Sequence, residues 1–382
     1  MCRVHALTDV QASAIFSNTN SDLVCNRKSS HLILVDFEKT VKRLVAENIM
    51  KVVYVKEFGG AENLEIREVE NLSPPKDVEI IVRVRAAGVN RADLMQRNGV
   101  YPAPKGFPER ILGLEFAVEV AEIGENVTKF KLGDQVFGIT AGGGQAEFVK
   151  TKESLSVKIP DNLNFTEAAC IPEAFITAHD AIFTQGKLKS GESCLIHAVG
   201  SGVGLAALQL CKANNIKTLG TSRSADKLAK CDKFGLDFGI LTNADLLENA
   251  NAFAEIVKYR TGEKGVDVIL DLVGAKYFEA NLQSLAVKGR LILVGLTSGR
   301  TAEFNLGIAL AKRLTIIGTT LRARSDDEKA EAAANFKDDV IPLIVSGKIV
   351  PNLDKVFPLI DVQKAHEYLE SNESFGKVVM EI

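Results

Sequence analysis

The spacing of hydrophobic positions changes twice along the chain. Between residues 50 and 165, short apolar stretches such as LEIREVE (64–70) and VEIIVRVRAAGVN (78–90) are separated by glycine-containing turns. This pattern predicts a module of short β-strands. From residue 166 to 321, continuous apolar strands such as SCLIHAV (193–199) alternate with helical segments. Six such strands can be counted, and they predict a doubly wound parallel sheet.

The helical spacing also predicts a long helix over 166–185, with Thr166 as its N-cap, and another over 276–289. After residue 321 the alternation ends. Two helices, at 325–348 and 361–371, and a last strand, GKVVMEI (376–382), follow. We expect this tail to return to the first module. The parallel sheet would then be an insertion, with a cleft between the two halves.

The first 49 residues follow neither pattern. They contain no long apolar core, so they do not have the form of a secretory signal. Only the segment DFEKTVKRLVAEN (36–48) spaces its apolar residues like one face of a helix. We expect an extension that is mostly disordered and carries one short helix.

Composition narrows the class of protein. A chain of 382 residues is too long for one ordinary core, which suggests two domains. The formal net charge of -3 gives no electrostatic reason to expect nucleic acid as the main partner. The six cysteines form no C-x-x-C pair and suit buried, reduced thiols. No apolar run reaches the ~18 residues of a membrane span, and we expect a cytoplasmic location.

The segment HAVGSGVGLAALQL (197–210) places a glycine cluster between a predicted strand and a predicted helix. The order Gly-Ser-Gly-Val-Gly departs from G-x-G-x-x-G, because Leu205 stands where the last glycine would be. The N–H groups and the dipole of a helix N-terminus still suit a pyrophosphate. We therefore expect Ser201, Gly202 and Val203 to bind a dinucleotide.

The next strand ends in GTSRSADK (220–227). NAD enzymes usually carry an acidic residue there for the ribose 2′-hydroxyl. Here the first acid is Asp226, and the preceding positions hold hydroxyls and a cation. The residues Thr221, Ser222, Arg223 and Lys227 suit a 2′-phosphate, so the expected cofactor is NADPH. A solvated polar turn with a helix cap at Ser224 is the alternative.

Several motifs in the same order resemble the zinc-free quinone oxidoreductases of the medium-chain dehydrogenase/reductase superfamily, a zeta-crystallin-like group. They are AAGVNRADLMQRNGVYPAP (86–104), ILGLEFAVEVAEIGENV (111–127), GDQVFGI (133–139), PEAFITAHDAI (172–182) and the glycine cluster. GTTLRARSDDEK (318–329) looks most similar to the damage-inducible branch of that group. The resemblance implies an α/β fold, in which a GroES-like catalytic domain (50–172 and 322–382) carries an inserted Rossmann NADPH-binding domain (173–321).

The resemblance also bears on metal binding. Zinc-dependent members of the superfamily carry Cys after AGV and a Gly-His-Glu run. This chain has Asn90 at the first position and Leu114 between Gly113 and Glu115. A catalytic zinc needs about three protein ligands, so no metal is expected.

The family pattern implies a set of site residues. Asn90 and Tyr101 would line the nicotinamide and substrate end: Asn90 would bond the carboxamide or a quinone oxygen, and Tyr101 would stack or donate a proton. Alternatively, Asn90 caps the following helix and Tyr101 packs beside Pro102. Further cofactor contacts are implied for Thr177, Val294, Gly295, Leu296, Leu321, Arg322 and Lys377.

Together these features predict NADPH-dependent reduction of quinones or similar electron-poor acceptors without zinc. An NADPH-dependent reductase of alkenal or enone double bonds is one alternative. An NADPH-binding structural or regulatory protein with little turnover is another. The predicted strand TIIGTTL (315–321) would lie at a sheet edge, where a second copy could pair with it, so a homodimer is expected.

Overall fold

A computed structural model describes residues 49–382 of the chain. The predicted N-terminal extension and its helix therefore lie outside the described residues. The first part of the fold is built mainly from strands. Its elements are β1 (Ile49–Val55), β2 (Leu64–Glu70), β3 (Glu79–Val89), α1 (Arg91–Arg97), β4 (Glu115–Ile123), β5 (Gln135–Ile139), β6 (Phe148–Lys152), β7 (Ser156–Lys158) and α2 (Phe165–Ala168).

The middle of the chain alternates helices and strands. Its elements are α3 (Pro172–His179), which continues as a π-helix (Asp180–Gln185), β8 (Ser193–Ile196), α4 (Gly202–Ala213), β9 (Lys217–Ser222), α5 (Ala225–Cys231), β10 (Phe238–Leu241), α6 (Ala244–Glu248), α7 (Ala250–Arg260), β11 (Val266–Asp271), α8 (Phe278–Ser284), β12 (Leu285–Leu293), α9 (Leu306–Lys312) and β13 (Thr315–Gly318). The last part contains α10 (Asp326–Val345), β14 (Leu353–Pro358), α11 (Val362–Glu370) and β15 (Lys377–Glu381).

The six middle strands form one parallel sheet in the order β10-β9-β8-β11-β12-β13. This order is that of a Rossmann sheet. The last two strands return to the first part of the chain: β15 pairs antiparallel with β3, and β14 pairs with β15. The predicted fold class, a GroES-like β domain carrying an inserted Rossmann-type sheet, is confirmed. The residue boundaries between the two domains stay predictions.

The apolar strands of the parallel sheet are covered on both faces. In β8, Cys194 and Ile196 belong to one hydrophobic cluster, whereas Leu195 between them belongs to another. Successive side chains of a strand point to opposite faces. A sheet buried on both faces therefore requires continuous apolar sequence. Because both faces are covered, a ligand can reach the sheet only at the ends of its strands.

Two predicted helices have different limits in the structure. The predicted helix 166–185 is broken into α2 and α3, and Asn164 rather than Thr166 is the N-cap of α2, because its side chain accepts a hydrogen bond from Glu167 N. Pro172 begins α3, where its missing N–H is not needed. The predicted helix 276–289 ends at Ser284, and Leu285 already pairs with β11.

The cysteines at 170, 194, 211 and 231 are buried free thiols, as predicted. Among residues 49–382, none of the helices combines the length and the apolar character needed to cross a membrane. The cytoplasmic location stays a prediction.

Candidate active site

The dinucleotide turn joins β8 to α4. Ser201 is the N-cap of α4, and its hydroxyl accepts a hydrogen bond from Gly204 N at 3.1 Å. A Cβ on Gly204 would lie 2.6 Å from the carbonyl oxygen of Ala198, so this position requires glycine. The N–H groups of Gly202 and Val203 find no acceptor in the part of the chain that the structure describes. They remain as donors, so this turn fits a pyrophosphate.

Three cations lie together beside the end of β9. They are Arg223, which is exposed, Lys227 of α5 and Arg91 of α1. Burial lowers the pKa of Arg91, Glu370 raises it, and the nearby charge of Arg223 lowers it again. Burial also lowers the pKa of Lys227; the charge of Asp354 opposes this shift, and both arginines add to it. Like charges held this close form a site for an anion.

Lys227 is only partly available to such an anion. Its Nζ donates to the carbonyl oxygens of Asn372 and Ser374, each at 2.6 Å. An ammonium group has three donors, so one remains. Lys227 therefore has two roles open to it: it fixes the loop before β15, and it keeps one N–H for the predicted 2′-phosphate.

The two hydroxyl residues at the end of β9 are engaged within the protein. Thr221 is fully buried, and its Oγ1 lies 3.0 Å from His197 Nδ1. Ser222 Oγ accepts a hydrogen bond from Ser224 N at 3.1 Å. The buried position of Thr221 therefore does not support its predicted contact with the cofactor. Ser222 is partly exposed, so its predicted contact is compatible with its position.

A buried ion pair lies beside the dinucleotide turn, because a Cβ on Gly202 would be 2.6 Å from the Lys377 side chain. Lys377 Nζ lies 2.5 Å from Glu115 Oε1, and both side chains are almost fully buried. Asn90 joins the pair, because its Nδ2 donates to Glu115 at 2.8 Å and its Oδ1 accepts from Lys377 at 2.5 Å. Asn90 also begins α1, where its N–H donates to Asp93 at 2.8 Å. The helix-start and site roles predicted for Asn90 are therefore compatible.

Two titratable carboxyl groups adjoin this pair. Burial raises the pKa of Asp93 to about 6, although hydrogen bonds from Asn90 N and Gly113 N oppose the shift. Burial, followed by the charge of Glu115, raises the pKa of Glu173 to about 8. Glu173 is partly exposed, and its carboxyl group has no hydrogen-bond partner among the described residues. It is therefore a group that can hold a proton near neutral pH.

Thr177 lies one helical turn after Glu173, on the same face of α3. Its Oγ1 is buried and has no hydrogen-bond partner among the described residues. Since a buried hydroxyl without a partner costs about 1–3 kcal/mol, this atom is suited to a bound ligand. The position of Thr177 is consistent with its predicted contact with the cofactor.

Tyr101 lies beside the segment that follows β13. Its hydroxyl is 3.1 Å from Thr320 Oγ1, and the guanidinium carbon of Arg322 is 5.0 Å from its ring centroid. Arg322 is buried and donates to Ala141 O, Tyr101 O and Gln96 Oε1. Arg322 thus fixes the loop that carries Tyr101. Its predicted direct contact with the cofactor would compete with these three protein acceptors.

The remaining predicted contacts lie at the carboxyl end of the parallel sheet or next to it. Val294 N and Gly295 N both donate to Asp271 O, at the ends of β12 and β11. Leu296 is exposed, whereas Leu321 is packed in the main hydrophobic core. Ligands of open α/β sheets bind outside the carboxyl ends of the strands, so the positions of residues 294–296 are compatible with their predicted contact with the cofactor.

The sequence analysis did not identify Arg91, Glu173 or Thr320. The groups that draw attention to them are distant in sequence: Arg223 for Arg91, Glu115 for Glu173 and Tyr101 for Thr320. Spacing alone could not reveal these pairs. Arg91 follows Asn90 directly, which is a local signal that a search for cations near the site could have used. Among residues 49–382, no group of three or more His, Cys, Asp or Glu side chains is arranged to hold a metal ion.

Comparison with known proteins agrees with this geometry. Residues 76–161 match the family model described as "Alcohol dehydrogenase GroES-like domain", and residues 202–338 match "Zinc-binding dehydrogenase". The fold is similar to that of Pseudomonas syringae pv. Tomato DC3000 quinone oxidoreductase (TM-score 0.77, 30% identity, 87% of this chain and 100% of that one). It is also similar to mycobacterial Rv1454c complexed with NADPH (TM-score 0.76, 31% identity, 87% and 100%).

Among curated proteins, the quinone oxidoreductase of Homo sapiens is 32% identical over 336 residues, which cover 87% of this chain and 98% of that protein. The match covers 87% of this chain and 98% of that protein at more than 30% identity. The chain therefore belongs to the quinone oxidoreductase family of the medium-chain dehydrogenases/reductases, and it is an oxidoreductase that binds a nicotinamide cofactor.

Proposed function

We propose that this enzyme transfers reducing equivalents from NADPH to quinones or similar electron-poor acceptors, and that it does so without zinc. The proposal rests first on the group formed by Asn90, Glu115 and Lys377. The Lys377 ammonium lies within 2.5 Å of both other side chains. A divalent cation at the same place would be repelled by this ammonium group, and the Glu115 carboxylate is already paired with Lys377.

The chain's own groups would bind and orient both reactants. The turn at residues 201–204 would hold the pyrophosphate, and the cations beside β9 would hold the 2′-phosphate. When bound, NADPH supplies a hydride to the acceptor. Residues 294–296 and Thr177 would position the nicotinamide end, so that most of the rate enhancement would come from orientation.

Two-electron reduction of a quinone also requires a proton at the acceptor oxygen. Tyr101 has a hydroxyl on the exposed side of this region, and Glu173 has a carboxyl group whose pKa is raised to about 8 by burial and by Glu115. Asn90 keeps one amide N–H beyond its bond to Glu115, and this N–H would donate a hydrogen bond, not a proton, to the acceptor oxygen. We propose Tyr101 and Asn90 as the residues that contact the acceptor and Glu173 as a proton source.

Steady-state kinetics with a quinone and an alkenal test this assignment. The Tyr101→Ala variant should lose about tenfold to a hundredfold in kcat/KM for the quinone, since a lost ring contact costs roughly 1–3 kcal/mol. Its Kd for NADPH should stay nearly unchanged, and Tyr101→Phe would separate the hydroxyl from the ring. Tyr259→Ala is the matched control, because Tyr259 is 74% exposed and far from these residues in the chain.

Each alternative function has its own outcome in this assay. A kcat/KM for the alkenal far above that for any quinone would assign the enzyme to double-bond reduction. A failure to oxidise NADPH with every acceptor, despite measurable NADPH binding, would indicate a binding protein with little turnover. Unchanged quinone turnover in a folded Tyr101→Ala variant would remove Tyr101 from the site.

We also propose that the enzyme is a homodimer. Within the described sheet, β13 is an edge strand that pairs only with β12. Beside it, Leu306 and Leu310 of α9 are 70% and 82% exposed. A sheet edge next to exposed apolar side chains is suited to a second copy of the chain. Leu310→Glu should convert the dimer to a monomer in sedimentation analysis, and a parent protein that sediments as a monomer would contradict the proposal.

A further inference from the structure

A cavity of ≈ 490 Å³ lies outside the active site, and residues from both sides of the domain junction line it. One side comes from α4 and the turn after α5, including Gln209, Lys233 and Phe234. The other side comes from the segment between α10 and β14, including Lys348 and Asn352. The side-chain amide of Gln209 makes two hydrogen bonds to the backbone of Val350: its Oε1 accepts from Val350 N at 2.9 Å, and its Nε2 donates to Val350 O at 3.1 Å. These two hydrogen bonds join the two sides of the cavity.

The charged side chains that line this cavity are all positive. Three lysines, Lys212, Lys233 and Lys348, line it, and none of its lining residues is Asp or Glu. Their ammonium groups have no carboxylate partner among residues 49–382, whereas the whole chain carries a net charge of -3. An uncompensated local positive charge on a protein of negative net charge attracts anions.

A buried amide in the wall also lacks a partner. Asn352 is 6% exposed, and neither its Oδ1 nor its Nδ2 has a hydrogen bond among the described residues. Native proteins leave few buried polar groups unpaired, and each such group needs a cause, of which a bound water, ion or ligand is one. This second observation does not depend on the lysines.

An apolar surface completes the wall. The rings of Phe234 and Phe375 lie with their centroids 6.1 Å apart, and Lys233 Nζ is 4.8 Å from the Phe234 centroid. Aromatic rings beside cations suit a ligand that carries both negative charge and a flat or apolar part.

We propose that this cavity binds a phosphorylated small molecule, with the phosphate groups held by Lys233 and Lys348. Lysine binds phosphate as a point charge and does not require a fixed hydrogen-bonding geometry. The shared chemistry is a compact polyanion, whether an inorganic polyphosphate or a nucleotide. The cavity adjoins the cofactor turn through Phe375, which lies against Gly200, but none of residues 200–204 lines it. Its occupancy does not depend on the reaction that the enzyme catalyses.

Isothermal titration with sodium tripolyphosphate tests the proposal. The protein is first saturated with NADP⁺, so that the cofactor site cannot take up the probe, and the ionic strength is kept constant because salt screens such contacts. We expect saturable binding at one site. Lys233→Gln/Lys348→Gln should weaken it at least about tenfold, whereas Lys129→Gln/Lys264→Gln, with the same change in charge on exposed lysines elsewhere, should alter it less than about twofold.

Absence of saturable binding in the NADP⁺-saturated parent would overturn the proposal. So would an equal loss of affinity in both double variants, because that result would reflect net charge alone. A parallel titration with ATP distinguishes the two sources of phosphate. Tighter binding of ATP than of tripolyphosphate, reduced to equality by Phe234→Ala, would identify a nucleotide as the ligand, and equal binding in the parent would identify an inorganic polyphosphate.

Discussion

Replacing Arg91 by Gln should weaken the binding of NADPH and leave the binding of NADH nearly unchanged. Arg91 belongs to the β-strand domain, but its guanidinium lies beside Arg223 at the end of β9, where it contributes to a group of three cations. NADH lacks the 2′-phosphate that this group would bind. Cofactor choice would therefore depend on a residue outside the Rossmann sheet.

The size of the effect follows from the surroundings of Arg91. A charge-assisted hydrogen bond to phosphate contributes about 1.5–3 kcal/mol before desolvation is subtracted. Arg91 already donates to Asn372 Oδ1 at 2.9 Å, but a guanidinium has five donors, so this bond need not break. Nearby Glu370 offsets part of the charge. We expect a net loss of about 1.4 kcal/mol, or tenfold in Kd.

Exposed Arg223 should have a smaller effect. A solvent-exposed pair typically contributes about 0.5–1 kcal/mol, so Arg223→Gln should raise the Kd for NADPH roughly two- to fivefold. Both effects should shrink at high salt, since the site is partly open to solvent.

The assay is a fluorescence titration of both cofactors against the parent, Arg91→Gln and Arg223→Gln. Arg83→Gln is the control, because it removes an exposed charge from the middle of β3. Equal weakening of NADH and NADPH in Arg91→Gln would show that Arg91 only supports the local structure. A parent that binds NADH as tightly as NADPH would refute the assignment of the cations to a 2′-phosphate.

Three further predictions concern the centre of the site. Quinone turnover should fall as pH rises through about 8, because burial and Glu115 raise the pKa of Glu173 to about 8 and its acid form is then lost; Glu173→Gln should flatten this limb of the pH–rate profile, and an identical profile would exclude Glu173 as a proton source. Lys377→Met should lower the free energy of unfolding in urea by about 3–5 kcal/mol by leaving Glu115 unpaired, and the double variant Glu115→Gln/Lys377→Met should recover most of this loss. An unchanged free energy of unfolding in Lys377→Met would show that the pair has no structural role. Gly204→Ala should weaken both cofactors at least about tenfold in equilibrium titrations, because its Cβ would lie 2.6 Å from Ala198 O; unaltered binding would show that the turn can adjust.

The strands of the Rossmann sheet could be predicted because their sequence and their surroundings agree. A continuous apolar run such as SCLI is buried on both faces of the sheet, so the sequence has no reason to alternate. The pattern LEIREVE likewise predicts β2 over the limits that it has in the structure. Elements at the surface lack a continuous or periodic apolar pattern, so their sequence does not indicate their structure. Strand β14 exposes four of its six residues and α9 buries none, and neither was predicted.

The candidate site was only partly predictable for a related reason. The dinucleotide turn is a local strand–turn–helix motif, so its residues could be identified from one short segment. The partners of Asn90 could not, because Lys377 lies 287 residues further along the chain. The sequence also does not show whether a side chain is free to bind a ligand. Thr221 and Arg322 have suitable chemistry, yet both are hydrogen-bonded to other protein groups.

The pairing of β15 with β3 has a consequence for the order in which the protein folds during synthesis. Glu115 precedes its partner Lys377 by 262 residues, so the ribosome must complete the whole Rossmann sheet before this ion pair can form. The strands β8 to β13 are contiguous in the chain and pair only with one another in the described sheet. We expect the inserted sheet to fold first, while residues 86–89 of β3 have no partner on one side until β15 is translated.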